Sequence, residues 1–161
     1  MSQIATPRSA RVTEFLEGEG VPFQLVEHTQ TYSAYGDARA TNHRPASVGK
    51  TVVLRDASGY VFAMIPATER LDLRKLREVL GASRQLQLVD EAEMAANFPD
   101  FEVGAIPPFA GGFPAAEVID GRLLDEDRIM CSSGDHMHSI LIDPRDAVAV
   151  ANARVADICQ D

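Results

Sequence analysis

Ser47-Val48-Gly49-Lys50-Thr51-Val52-Val53-Leu54, with Tyr60-Val61-Phe62-Ala63-Met64-Ile65 shortly after it, is the stretch on which the fold turns. Both runs are apolar on consecutive positions, as expected of strands covered on both faces, and Asp56-Ala57-Ser58-Gly59 between them supplies hairpin turn chemistry. This pair is expected at the centre of a sheet. At its head stands Lys50, one of only two lysines, with Lys75, against thirteen arginines. A lysine ammonium meets a small ligand as a point charge, whereas guanidinium is a planar, permanently charged fork. Lys50 therefore reads either as a surface residue snorkelling off a strand end or as a cation kept for a ligand.

Outward from that pair, strands and helices are mixed. Thr6-Pro7 and Ser9 to Leu16 read as an N-capped helix stopped by Gly18 and Gly20. Phe23 to His28 reads as a strand, and Thr31 to Ala40 as a short helix capped near Ser33. Asp72 to Gly81 places Leu73, Leu76, Val79 and Leu80 on one helical face, with Gly81 as its stop. Leu86 to Val89 suggests a short strand, and Asp90 to Phe98 a helix ended by Pro99. Ala116 to Ile119 and Arg122 to Leu124 are expected to form a hairpin around Asp120-Gly121. Ile129 to Ser132 and Met137 to Ile142 are two further strands, and Asp143-Pro144 opens a helix expected to run through Ala147 to Ile158. The class is α+β.

The length of 161 residues suits one domain spanning 1–161, large enough to bury roughly 70% of its unfolded surface. No apolar run approaches the roughly 18 residues of a membrane span, and Met1 to Pro7 lacks a signal peptide's apolar middle, so a cytoplasmic location is the expectation. Cys131 and Cys159 read as thiols. The net charge of -9 argues against a broad nucleic-acid footprint. It is unevenly spread: residues 1–84 carry eleven Lys and Arg against nine Asp and Glu, and residues 85–161 carry four against fifteen. From Thr41 to Leu54 there is no acid, and Arg39, Arg44, Lys50 and Arg55 form either a solvated basic face or a patch for one or two phosphates.

Gly104-Ala105-Ile106-Pro107-Pro108-Phe109-Ala110-Gly111-Gly112 joins two stiff prolines to three glycines around an aromatic. Such a loop presents backbone N–H groups suited to gripping a carbonyl or carboxylate, although a plain structural loop reads the same way. There is no Gly-x-Ser-x-Gly elbow, and Gly49-Lys50-Thr51 lacks the glycine a phosphate loop needs where Arg44 stands. In Asp135-His136-Met137-His138 the histidines are two apart, so a metal hydrolase using His136, His138 and Cys131 or Asp135 is a further alternative. The expected site holds no metal and no cofactor.

In order along the chain, His28 and Thr31, Val48-Gly49-Lys50-Thr51-Val52-Val53-Leu54, Leu71-Asp72-Leu73-Arg74-Lys75-Leu76, Gly104-Ala105-Ile106-Pro107-Pro108-Phe109 and Gly134-Asp135-His136-Met137-His138-Ser139-Ile140 resemble the YbaK/prolyl-tRNA-synthetase-associated domains, which are aminoacyl-tRNA deacylases. The resemblance implies a mixed, partly closed sheet flanked by helices, with the pocket between the lysine strand and the proline loop. It implies that Lys50 is the essential residue, binding the terminal nucleotide or ester, and that Gly104 and neighbouring backbone position the aminoacyl group. Ile106, Pro107, Pro108 and Phe109 complete that loop, with Asp135, His136 and Ser139 as further pocket groups. The expected partner is the acceptor 3′ end of an aminoacyl-tRNA, with a tRNA synthetase as a second. Ala110 stands where the family commonly has glycine, and Gly49 where it commonly has alanine, so aminoacyl specificity does not carry over. Ester hydrolysis needs orientation and oxyanion stabilisation, not a nucleophilic side chain. A non-catalytic module binding an amino acid or a partner on the same fold is the alternative.

Overall fold

The computed structural model describes residues 9–81, 85–109 and 115–161; Thr6, Pro7, Ala110, Gly111 and Gly112 lie outside the described residues. In chain order the elements are α1 (Ala10–Gly18), β1 (Gln24–Glu27), α2 (Ala34–Thr41), β2 (Gly49–Asp56), β3 (Gly59–Pro66), α3 (Leu73–Leu80) and β4 (Gln87–Leu88). There follow α4 (Glu91–Asn97), β5 (Ala116–Asp120), β6 (Ile129–Ser132), β7 (His138–Ile142), α5 (Pro144–Ala151) and β8 (Arg154–Ala156). Short 3-10 turns occupy Pro45–Ser47 and Gly121–Asp125.

The opening stretch forms the expected antiparallel hairpin, with Val53 opposite Phe62 and Asp56 opposite Gly59. Asp56 Oδ1 accepts from the Ser58 N–H, and Gly59 at φ 131° takes a conformation costly to other residues. The hairpin is central: the larger sheet runs β4-β2-β3-β5-β8, and a second runs β1-β7-β6. A parallel bridge from Val48 to Met130 joins the two, so the mixed sheet is continuous at that corner without closing into a barrel.

Alternation along β2 divides the core. Val52 and Leu54 pack with Leu76 of α3, Ala63 and Ile65, whereas Val53 packs with Phe62, Phe98, Phe101 and Ile106. Gly49 lies on the second face, where an added Cβ would stand 2.6 Å from Met64 Sδ and 2.9 Å from its Cγ. A third cluster holds α1 and α5 on the sheets through Val12, Leu16, Ile140, Ile142 and Ala147.

Local chemistry sets the helix ends. Asp72 accepts from the N–H groups of Arg74 and Lys75, and Gly81 closes α3 in the left-handed region at φ 63°. Ser33 caps α2 by accepting from Gly36 N–H, and Asp143 with Pro144 at N1 opens α5.

Two expectations fail. Residues 121–125 form a 3-10 turn, not a returning strand, because β5 is already flanked in parallel by β3 and β8. The fully buried Asp120 carboxylate caps that turn by accepting from Arg122 N–H, and also accepts from Ile158 N–H. The last helix does not reach Ile158: Asn152 adopts φ 50° after Ala151, and Arg154–Ala156 becomes strand β8. Val155 and Ile158 mimic helical spacing, but pairing with β5 decides their conformation.

Candidate active site

Between the parallel bridge from Val48 to Met130 and the pairing of Leu54 and Arg55 with β4, the outer edge of β2 has no strand partner among the described residues, and there only the Val53 carbonyl is met, by the Val89 N–H. Along that open edge lies a cavity of about 230 Å³. Thr51, Val52 and Val53 line it from β2, Leu88, Val89 and Met94 from β4 to α4, and Gly104 and Ile106 from the proline loop. Three consecutive strand residues in one wall mean that the cavity runs along an edge and not over one face. Thr51 Oγ1 is buried without a hydrogen-bond partner. A buried hydroxyl normally has one, so this atom is an exception within the wall of the cavity.

Gly104 approaches this edge at φ 85°, a conformation that favours glycine. A Cβ there would lie an ordinary 3.5 Å from His136 Cε1, so the requirement is conformational rather than steric. His136 donates from Nε2 to the Val103 carbonyl at 2.9 Å, and its own N–H donates to Glu102 Oε2. Its carbonyl accepts from Thr31 N–H, and its ring lies 5.3 Å from that of Tyr32, an exposed aromatic. His136 thus fastens the loop containing Gly104 to the segment before α2. The remaining loop residues point into the protein: Ile106 and Phe109 belong to two different core clusters, and Pro107 and Pro108 are buried.

Lys50 opens the unpaired edge, half-buried and opposite Ile65. It is not among the residues lining the cavity; it adjoins Thr51, which is, and strand alternation puts the two side chains on opposite faces. Among the described residues its ammonium makes no ion pair and no hydrogen bond. The other half-buried cations are engaged: Lys75 reaches Asp157, Asp161 and the Cys159 carbonyl, and Arg77 the Leu86 carbonyl. The acid-free stretch does not form one basic patch. Arg44 pairs with Glu126 and Arg55, at the far end of β2, with Glu93.

A second polar group lies between α2 and β7. His28 Nδ1 donates to the Thr29 carbonyl, which leaves Nε2 to accept from Ser139 Oγ at 2.9 Å, and Asp37 Oδ1 stands 3.9 Å from Nε2. The composition is that of a nucleophilic triad, but the His28 side chain and Ser139 are each only 1% exposed, so no substrate reaches them. They tie α2 to the sheet. Burial holds the Asp37 carboxyl above its ordinary range, opposed by the hydrogen bond from Thr31 and by His28 and His136. Asp135 is occupied within its own turn, accepting from Met137 N–H and His138 Nδ1; burial pushes its carboxyl up, and these bonds carry it below the ordinary value. Among the described residues no three His, Cys, Asp or Glu side chains stand where they could share a metal ion.

The structure therefore joins Gly104, Ile106 and His136 in one region beside the lysine strand, and directs Asp135 and Ser139 elsewhere. Thr51, Leu88 and Met94 were not singled out from the sequence; of these, only Thr51, adjacent to the lysine, gave a local signal.

The aminoacyl-tRNA editing domain family model matches residues 27–150. Among solved structures, the chain resembles a candidate trans-editing enzyme for prolyl tRNA synthetase, with a TM-score of 0.87 and 24% identity over 98% of this chain and 100% of that one. It resembles equally a scaffold from epitope backbone grafting by computational design, with a TM-score of 0.86 and 24% identity over 98% and 99%. At such identities the likeness establishes the fold. No curated protein matches. With a family match that begins at the end of β1 and ends within α5, taking in both Lys50 and Gly104, the chain belongs to the aminoacyl-tRNA editing domain family.

Proposed function

We propose that the protein deacylates mischarged aminoacyl-tRNA, with Lys50 anchoring the acceptor 3′ end and Gly104 holding the aminoacyl carbonyl. The observation that carries this reading is a half-buried lysine at the head of an open strand edge, its ammonium without a partner among the described residues, beside a cavity that ends at Gly104. Holding a cation without a counter-charge is unfavourable, and a phosphate or ester oxygen supplies what it lacks. The Gly104 N–H also donates to no group among the described residues, and it is a suitable donor for the oxyanion formed when water attacks the ester. Water adds to the carbonyl carbon, the bond to the ribose oxygen breaks, and that oxygen takes the proton. The products are a free amino acid and a tRNA with an intact 3′ end. A prolyl-tRNA synthetase is the proposed partner, by likeness to the structural neighbour.

Turnover on a panel of mischarged tRNAs, with and without a chelator, tests this. The expected result is release of at least one amino acid at a rate the chelator leaves unchanged. Tight binding of free amino acids without turnover on any charged tRNA would overturn it.

A further inference from the structure

We infer that the cavity beside Gly104 selects the aminoacyl group, and that its preferred occupant carries an aliphatic side chain of valine to leucine size. This rests on the editing reading above. Apart from Thr51 and Gly104, the lining is entirely apolar, from Val52 and Val53 through Leu88 and Met94 to Ile106. A space of about 230 Å³ equals the share of roughly eight liquid waters at about 30 Å³ each, close to the heavy-atom count of a complete valyl or leucyl group. A methyl side chain leaves much of it unfilled.

Thr51 supplies the one polar side chain in the wall. Its unpartnered hydroxyl is buried with almost no surface towards the cavity, so it meets the α-ammonium of an aliphatic aminoacyl ester only when the side chain turns to face the occupant. A charged or amide side chain would find no second partner there and is disfavoured by desolvation. Each methylene buried against this wall strengthens binding by about fourfold. Leu88, 59% exposed beside the cavity, forms an apolar rim that an entering side chain covers.

The test measures kcat/KM for alanyl-, seryl-, valyl- and leucyl-tRNA with the wild-type protein, Met94→Trp and Leu88→Trp. Wild type is expected to favour valyl or leucyl over alanyl substrate by at least tenfold, and each tryptophan to lower the leucyl-to-alanyl ratio by at least tenfold. Leu88→Trp changes an exposed position and guards against a folding defect in the other variant. L-Leucinamide, titrated by NMR, reads the cavity without turnover and is expected to shift the Thr51 and Met94 signals. If charged tRNAs are hydrolysed but alanyl or seryl substrate is fastest and leucinamide shifts nothing, the cavity assignment falls and the editing reading stands. If leucinamide shifts those signals and no charged tRNA is hydrolysed, the cavity stands and the editing reading falls.

Discussion

Lys50 and Lys75 are the same side chain in opposite circumstances. Lys75 is clamped by two carboxylates and a carbonyl of the C-terminal strap, residues 157–161, whereas Lys50 is half-buried and no described residue neutralises it. Glu117 is the acidic counterpart of Lys50. It is 8% exposed, its Oε2 has no partner, and burial alone raises its pKa from 4.5 to about 9. Between those values the folded protein keeps a proton that the unfolded chain has released, so stability falls as pH rises through that window. Glu117→Gln removes the effect. It is expected to stabilise the protein at pH 7 by on the order of 2–3 kcal/mol, with a gain that vanishes towards pH 5. Thermal melts at both pH values check this, and an equal gain at both would contradict it. The scarcity of lysine marked Lys50 in the sequence. Nothing local marked Glu117, whose burial comes from its place on β5 between β3 and β8.

Among the elements, β2 does the most with the fewest side chains. Its inner edge pairs with β3 along eight residues, its outer edge is left open for the cavity, and its glycine gives room to Met64. Gly49 thus has a structural reason: the buried Met64 thioether occupies the space a methyl would need. Gly49→Ala alone is expected to cost about 1–3 kcal/mol through overpacking. Combined with Met64→Val the loss should be smaller than the sum of the two single losses, measured by urea denaturation as a double-mutant cycle. At the other side of the sheet, Asp120 joins β5, the following turn and the strap at Ile158. Asp120→Ala leaves those donors unpaired, and a loss of about 3 kcal/mol by urea denaturation is expected. The helix caps at Ser33, Asp72 with Gly81, and Asp143 with Pro144 were legible because each is settled within a few residues. The parallel pairing of β8 on β5 was not, because it joins segments more than thirty residues apart whose local pattern suits a helix.

Across the whole molecule, the uneven charge is partly internal bookkeeping. Acids of the second half hold arginines and the spare lysine of the first, as in Arg11–Asp100, Arg44–Glu126 and Lys75–Asp157. Little positive charge is left for RNA, so tRNA binding should weaken only gently with salt, with a slope no steeper than about −1.5 in log K against log salt, at about −0.7 per single-strand phosphate. A filter-binding series at several salt concentrations measures it. Lys50, Gly104 and His136 could be named from the sequence because each lies in a distinctive short motif. The cavity could not, since its walls come from β2, β4, α4 and the proline loop, apolar residues that only the tertiary fold brings together. Single-turnover deacylation by wild type and Lys50→Ala, both shown folded by circular dichroism, tests the central claim most directly. The expected result is a loss of at least a hundredfold in Lys50→Ala, while a rate within a few-fold of wild type would contradict the account.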